Sequence, residues 1–315
     1  MTEYNKETNT DDFEQSLVNE LAREVLHEQR RNRRWGIFFK FLLALYLFTF
    51  LIIYFVENTV SGSFGGENHT ALIEINGVIA ADSEARADYV VTGLRKAFED
   101  ENTQGIILRI NSPGGSPVQA GYINDEIIRL RDKYPEIPLY AVISDICASG
   151  GYYIAAAADK IYANKASIVG SIGVVMAGFG FVDTIEKLGV ERRLLHAGEN
   201  KGFMDPFQPL KSDEETHVQG LLDEIHQQFI DVVKNGRGDR LINDEKLFSG
   251  LIWSGEESIK LGLVDELASA SEVARDVIGA EDIVDFTKRE NYLDRFAKQM
   301  GSAMLRSLNG SLNLQ

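Results

Sequence analysis

One feature constrains this chain more than any other. Trp35 to Val56 reads WGIFFKFLLALYLFTFLIIYFV, 22 residues with a single charge, Lys40, near its start. About 20 apolar residues cross a bilayer core as a helix. Two alternatives exist, a buried core helix and a cleaved signal peptide. The unbroken Phe/Leu/Ile run argues against the first. The second has an apolar stretch of about 7–15 residues close to the N-terminus, whereas this run starts at residue 35 and is longer. We therefore expect a transmembrane helix at 35–56. Lys40 is placed to snorkel to the near interface, and Trp35 and Tyr54 sit at its two ends, where amphipathic rings prefer to lie. Arg30, Arg31, Arg33 and Arg34 precede the run, and Glu57 and Glu67 follow it. The positive-inside rule then predicts a cytosolic tail at 1–34 and places residues 57–315 across the membrane.

Charge and cysteine content narrow the chemistry. The net charge of the 315 residues is −16, and −15 of it falls after residue 56. An acidic surface argues against nucleic acid as the main partner. A single cysteine, Cys147, excludes an intramolecular disulfide framework and a zinc site built on several cysteines. In the tail, Phe13, Leu17, Leu21 and Val25 recur every four residues, which fits one amphipathic helix or a solvated tail equally well.

A Gly/Ser linker, expected over 57–69 and containing His69, leads into alternating elements. Strands are predicted at Ala71–Ala80, Gly105–Ile110, Leu139–Ser144, Lys160–Ala163 and Ile168–Val175. Helices are predicted at Glu84–Glu101, Val118–Tyr134, Tyr152–Ala158 and Ser212–Val233. This order predicts an α/β domain over 70–282 with a largely parallel sheet. Residues 283–315 read as a peripheral segment whose Tyr292, Phe296, Met300, Met304 and Leu308 repeat at helical spacing.

Three segments are candidates for chemistry. Asn111-Ser112-Pro113-Gly114-Gly115 lies between a strand and a helix. Its glycines permit a tight turn and leave amides bare for an anion or oxyanion, unless it is an ordinary strand-to-helix turn. In Ala148-Ser149-Gly150-Gly151-Tyr152-Tyr153 the serine, flanked by small residues, is either an outward-pointing nucleophile or a helix N-cap. Lys201, in Gly198-Glu199-Asn200-Lys201-Gly202, reads as a surface lysine unless a base is needed. A serine nucleophile does need one. Histidine is poorly supplied: His27 precedes the span, His69 lies in the linker, and His217 and His226 fall on the long helix. Only His196 is near a relevant loop. A desolvated lysine serves instead, and no S-x-x-K spacing surrounds Ser149, since position 152 is Tyr. The sequence has no Walker A loop, no G-x-G-x-x-G and no H-E-x-x-H, and no cofactor or metal is implied.

Together these segments resemble the signal peptide peptidase A family in its short bacterial form. The resemblance rests on the N-terminal span, NSPGG at 111–115, ASGGYY at 148–153, IVGSIGVV at 168–175 and GxxKGxxDPF at 198–207, in the family's order and over about residues 70–270. It implies a Clp protease/crotonase-type α/β fold with repeated β-β-α units. It implies Ser149 as nucleophile, Lys201 as general base, and Gly114 and Gly115 as oxyanion donors, with Ser171 structural or lining the substrate. It also implies a ring-like homo-oligomer with sites near subunit contacts. The expected activity is that of a membrane-anchored serine endopeptidase acting on hydrophobic peptides such as signal peptide remnants. The anchor would be in the bacterial inner membrane, with the catalytic domain on the extracytoplasmic side. Two competing expectations are a crotonase-type acyl-CoA enzyme and a catalytically silent membrane scaffold of the same fold.

Overall fold

The computed structural model describes residue 23 and residues 29–52 and 67–289. The amphipathic pattern of the tail and the stripe from Tyr292 to Leu308 lie outside these residues. The chain divides into two compact units at residues 64 and 65. In the first, helix α1 spans Gln29–Ile52, 24 residues whose most apolar 18-residue stretch has mean hydropathy 2.0 and is not buried. At about 1.5 Å per residue it is roughly 36 Å long, enough by length and composition to cross a bilayer core. Among the described residues it already includes the six that precede the apolar run, Arg30, Arg31, Arg33 and Arg34 among them. Trp35 packs edge-on against Phe38, ring centroids 5.8 Å apart.

The second unit is built on one mixed sheet. Its strands are β1 (His69–Asn76), β2 (Thr103–Ser112), β3 (Leu139–Ala148), β4 (Lys160–Ala163), β5 (Ile168–Gly170), β6 (Ile252–Ser254), β7 (Glu266–Leu267) and β8 (Ile283–Asp285). Its helices are α2 (Ala87–Glu99), α3 (Pro117–Lys133), α4 (Gly150–Ala155), α5 (Val182–Lys187), α6 (Ser212–Arg237), α7 (Gly255–Lys260) and the short α8 (Ala270–Glu272), which continues as a wider turn to Ile278. The spatial order is β6-β5-β3-β2-β1-β8, with β4 beside β3 and β7 beside β4. All pairings are parallel except β5 with β6.

Both faces of the central strands are covered, as parallel sheets require. Ile73 and Ile75 of β1, Ile106, Leu108 and Ile110 of β2, and Leu139, Ala141 and Ile143 of β3 point to one face. They pack with Leu94 and Phe98 of α2 and Ile123, Ile127 and Leu130 of α3. The alternate residues Leu72, Ile107 and Val142 form a smaller cluster on the other face with Tyr162, Val273 and Ala274. This period-two division fixes the register, since a slip of one residue would exchange the faces.

Several boundaries differ from expectation. Residues 283–285, expected at the periphery, form β8 and pair with Thr70–Leu72, so the sheet runs past residue 282. His69, expected in the linker, is the buried first residue of β1, with its ring stacked on Phe286. The strand expected to reach Val175 stops at Gly170, because Gly170 at φ 112° and Ser171 at φ 52° turn the chain out of extended geometry.

Candidate active site

The site forms where three strand ends meet. Between β2 and β3 the register slips after Ile110: Ile110 pairs with Ile143, but Ser112 pairs with Cys147. Residues 144–146 of β3 therefore bulge against Asn111. The Asn111 side chain holds the bulge, donating from Nδ2 to Asp145 Oδ2 at 3.0 Å and accepting from the Ile146 amide at 3.2 Å. Ser112, fully buried, donates its hydroxyl to the Gly77 carbonyl at 2.6 Å and accepts from the Gly114 amide at 3.1 Å. The polar residues of the first motif thus shape the loop. Cys147 is buried as a small apolar group, and burial pushes its thiol far above the ordinary range.

Ser149 stands at the turn from β3 into α4. It adopts φ 52°, a left-handed conformation that is costly for a residue with a side chain. Its amide donates to the Gly170 carbonyl at 2.8 Å, which holds that conformation. Although it occupies the N-cap position, its hydroxyl does not cap the helix, so the capping explanation for this serine fails. The glycines around it are required by space. A Cβ on Gly114, at φ 100°, would lie 2.7 Å from Ser149 Cβ and 2.8 Å from the Ala148 carbonyl oxygen. A Cβ on Gly115 would lie 2.1 Å from the Ile79 carbonyl oxygen, and one on Gly170 would lie 2.7 Å from the Trp253 ring.

Of the two amides expected to face an oxyanion, that of Gly114 is already given to Ser112 Oγ. The Gly115 amide donates to no backbone carbonyl among the described residues. Nor does that of Gly150, the first residue of α4, whose position leaves it without a helical partner. Sequence reasoning missed Gly150; the rule that the residue after a turn-borne nucleophile supplies an amide could have found it.

Gly115, Ser149, Gly150 and Ser171 all line one cavity of about 510 Å³. Its walls are mixed, with Pro117, Val174, Ile225 and Phe229 beside the polar Ser171, His226, Gln228 and Ser249, and Tyr153 and Phe229 meet with ring centroids 5.1 Å apart. Burial raises the Tyr153 phenol above its usual range, keeping it neutral. The cavity also contains His226, placed by sequence only as a helix position, whereas His196 turns to its own loop and bonds the Gly198 carbonyl at 2.9 Å. Among the described residues, no group of three or more His, Cys, Asp or Glu converges as a metal site.

Lys201 is not brought to Ser149 within the chain. It is exposed, it lies outside the cavity lining, and it sits on an arm running from about residue 174 to 211. The arm is ordered by its own contacts. Asp205 accepts from Arg192 Nε at 3.2 Å, Phe207 meets Phe181 with centroids 5.6 Å apart, and the Phe181 amide donates to the Pro206 carbonyl at 2.6 Å. Yet α5 buries no residue, and Val175, Phe179 and Leu195 are 84%, 82% and 97% exposed.

A doubly covered parallel sheet, a strained serine at a strand-to-helix turn and free amides beside it define a site of the serine hydrolase type. Residues 131–283 match the family described as Peptidase family S49. A protein of Synechocystis sp. described as a candidate protease is 32% identical over 199 residues, which is 63% of this chain and 69% of that protein. This chain belongs to peptidase family S49. A candidate signal peptide peptidase SppA of Enterococcus faecium is 32% identical over 229 residues, 70% of this chain and 63% of that protein. A protein of Brucella abortus named Na(+)/H(+) antiporter NhaA is 45% identical over 186 residues, 59% of this chain. The chain spans only a quarter (25%) of that protein's length.

Proposed function

We propose that this chain is a membrane-anchored serine endopeptidase that uses Ser149 as nucleophile and Lys201 as general base. The observation that carries the reading is the uncapped, strained Ser149 hydroxyl in the lining of a cavity, beside the free amides of Gly115 and Gly150. Neutral Lys201 Nζ takes the Ser149 proton as Oγ attacks a peptide carbonyl. The two amides hold the oxyanion, the leaving amine takes the proton, and water then hydrolyses the acyl-enzyme. Gly114 contributes space for Ser149, and Ser171 lines the substrate.

The base comes from a neighbouring copy in a ring-like homo-oligomer. The exposed apolar side chains of the arm support this, since patches of that kind are normally covered. The apolar side chains of the cavity, Val174, Ile225, Phe229 and Phe248 among them, suit hydrophobic peptides, signal peptide remnants included. α1 fits a single bilayer anchor, and the flanking arginines favour a cytosolic N-terminus with the catalytic unit extracytoplasmic, at a bacterial inner membrane.

The test is fluorophosphonate labelling and peptide cleavage by the full chain in detergent. One adduct on Ser149 is expected, and loss of both labelling and cleavage in Ser149→Ala and Lys201→Ala. Removing a nucleophile or its base costs about 10⁴-fold or more in kcat. Full cleavage by Lys201→Ala would sink the base assignment. A folded, assembled and unreactive wild type would favour the silent scaffold.

A further inference from the structure

Among the described residues His226 is the one imidazole that lines the Ser149 cavity, and the chemistry above gives it no task. Its Nε2 lies 3.2 Å from the carbonyl oxygen of Ile172. A carbonyl only accepts, so Nε2 carries the proton and donates. The same oxygen accepts from the Gly250 amide at 3.1 Å.

Ile172 is fully buried and is the last anchored peptide before the chain leaves the core. The Gly170 carbonyl accepts from Ser149, and the Ser171 amide donates to the Leu251 carbonyl at 2.7 Å. From 173 to 180 no backbone amide bonds another backbone group among the described residues. Gly173, Val174 and Val175 nevertheless form a wall of the cavity. That wall hangs from the Ile172 peptide, immediately after the strained Ser171.

We propose that His226 is a positioning residue whose Nε2–H fixes the Ile172 peptide and thereby sets the wall 173–175 against which substrate docks beside Ser149. The inference rests on the reading of Ser149 as nucleophile. His226 touches no reacting atom. Its donation serves both the neutral ring protonated at Nε2 and the imidazolium, so the clamp needs a donor at this position and not a titration.

His226→Phe removes the donor and keeps a ring; His226→Gln restores an N–H of similar reach. Steady-state cleavage of an apolar peptide by the full chain in detergent, with hydrogen exchange of peptides covering 173–180, separates the outcomes. For His226→Phe the expected result is a rise in KM of about five- to tenfold, the effect of losing one ordinary hydrogen bond. Its kcat should stay within about twofold, and amides 173–175 should exchange faster. His226→Gln should return both readouts toward wild type. Unchanged KM and exchange in His226→Phe would overturn the proposal. So would equal effects in the two variants, or a collapse of kcat at constant KM, which would make His226 catalytic. If His226→Phe does not fold, His226→Met against His226→Gln carries the same comparison. If wild type neither labels nor cleaves, the Ser149 reading fails, and the exchange comparison still decides whether His226 holds the wall.

Discussion

The turn that carries Ser149 and the arm that carries Lys201 are built by different means. Around Ser149 the backbone is positioned by neighbours from several elements, which leave the Gly115 and Gly150 amides free. Ser112 ties the loop to Gly77, Asn111 holds the β3 bulge, and Gly170 fixes the Ser149 amide. The arm coheres through local pairs such as Asp205 with Arg192, while its apolar side chains stay exposed. A nucleophile must be held to a fraction of an ångström, and the converging ends of central strands with tight glycine contacts do that within one chain. An arm with an uncovered apolar face is suited to being completed from outside the chain. The comparison thus places the fixed half of the proposed dyad in the core and the delivered half on a surface.

The largest effect that tests this contrast is a mixing experiment. Inactive Ser149→Ala and Lys201→Ala chains are co-expressed and assembled together. If the base crosses between copies, mixed assemblies should recover about a quarter to a half of wild-type cleavage, from a baseline lowered about 10⁴-fold. No recovery from assemblies shown to be mixed would return Lys201 to its own chain.

Gly114→Ala probes the rigid half. Its Cβ would enter a space 2.7 Å from Ser149 Cβ, at a φ of 100°. We expect a loss of about 3 kcal/mol in stability and no fluorophosphonate adduct, read by denaturant titration and intact mass. Wild-type labelling would show that the loop has slack.

Asn111→Ala removes both bonds to the bulge and should cost about 1–2 kcal/mol. The rate of Ser149 labelling should fall about tenfold, since the bulge leads directly into the nucleophile turn. Equal labelling rates at lower stability would confine Asn111 to a structural role.

The smallest effect lies away from the site and serves as a control. Glu126 is hydrogen-bonded by Arg129 and Arg95, which hold its carboxyl at about 2 against burial that opposes them. A carboxyl lowered in the folded state stabilises above its unfolded value, near 4.5, and that stability is lost as pH falls toward 2. Both arginines are half exposed, so the effect is discounted to about 1 kcal/mol at pH 7. Glu126→Gln should unfold earlier at pH 7 and match wild type near pH 2, with Ser149 labelling unchanged at neutral pH.

Much of the sheet was legible because its signals are local. The short apolar runs of β1, β2 and β3 and the helical spacing of α2, α3 and α6 follow from burial of two faces or one. Ser116 and Pro117 mark the start of α3 as expected of a cap and first turn. The serine turn was visible because small residues cluster where a backbone must bend sharply. Harder to read were features that depend on distant partners. Ile283–Asp285 gives only three residues of strand signal, and its place beside β1 is decided by pairing across more than 200 residues. His69 looked like linker because its burial comes from Thr103 and Phe286.

The sequence by itself determined an apolar segment of membrane-crossing length, an α/β order and the glycines and serine of a reactive turn. Each of these is written in neighbouring residues through hydropathy, periodicity or allowed backbone angles. Only the tertiary structure decided which amides stay free, that His226 and not His196 shares the cavity with Ser149, and that Lys201 stands apart from it. Those outcomes depend on which groups meet through space, and residues far apart in the chain settle that by packing and hydrogen bonding.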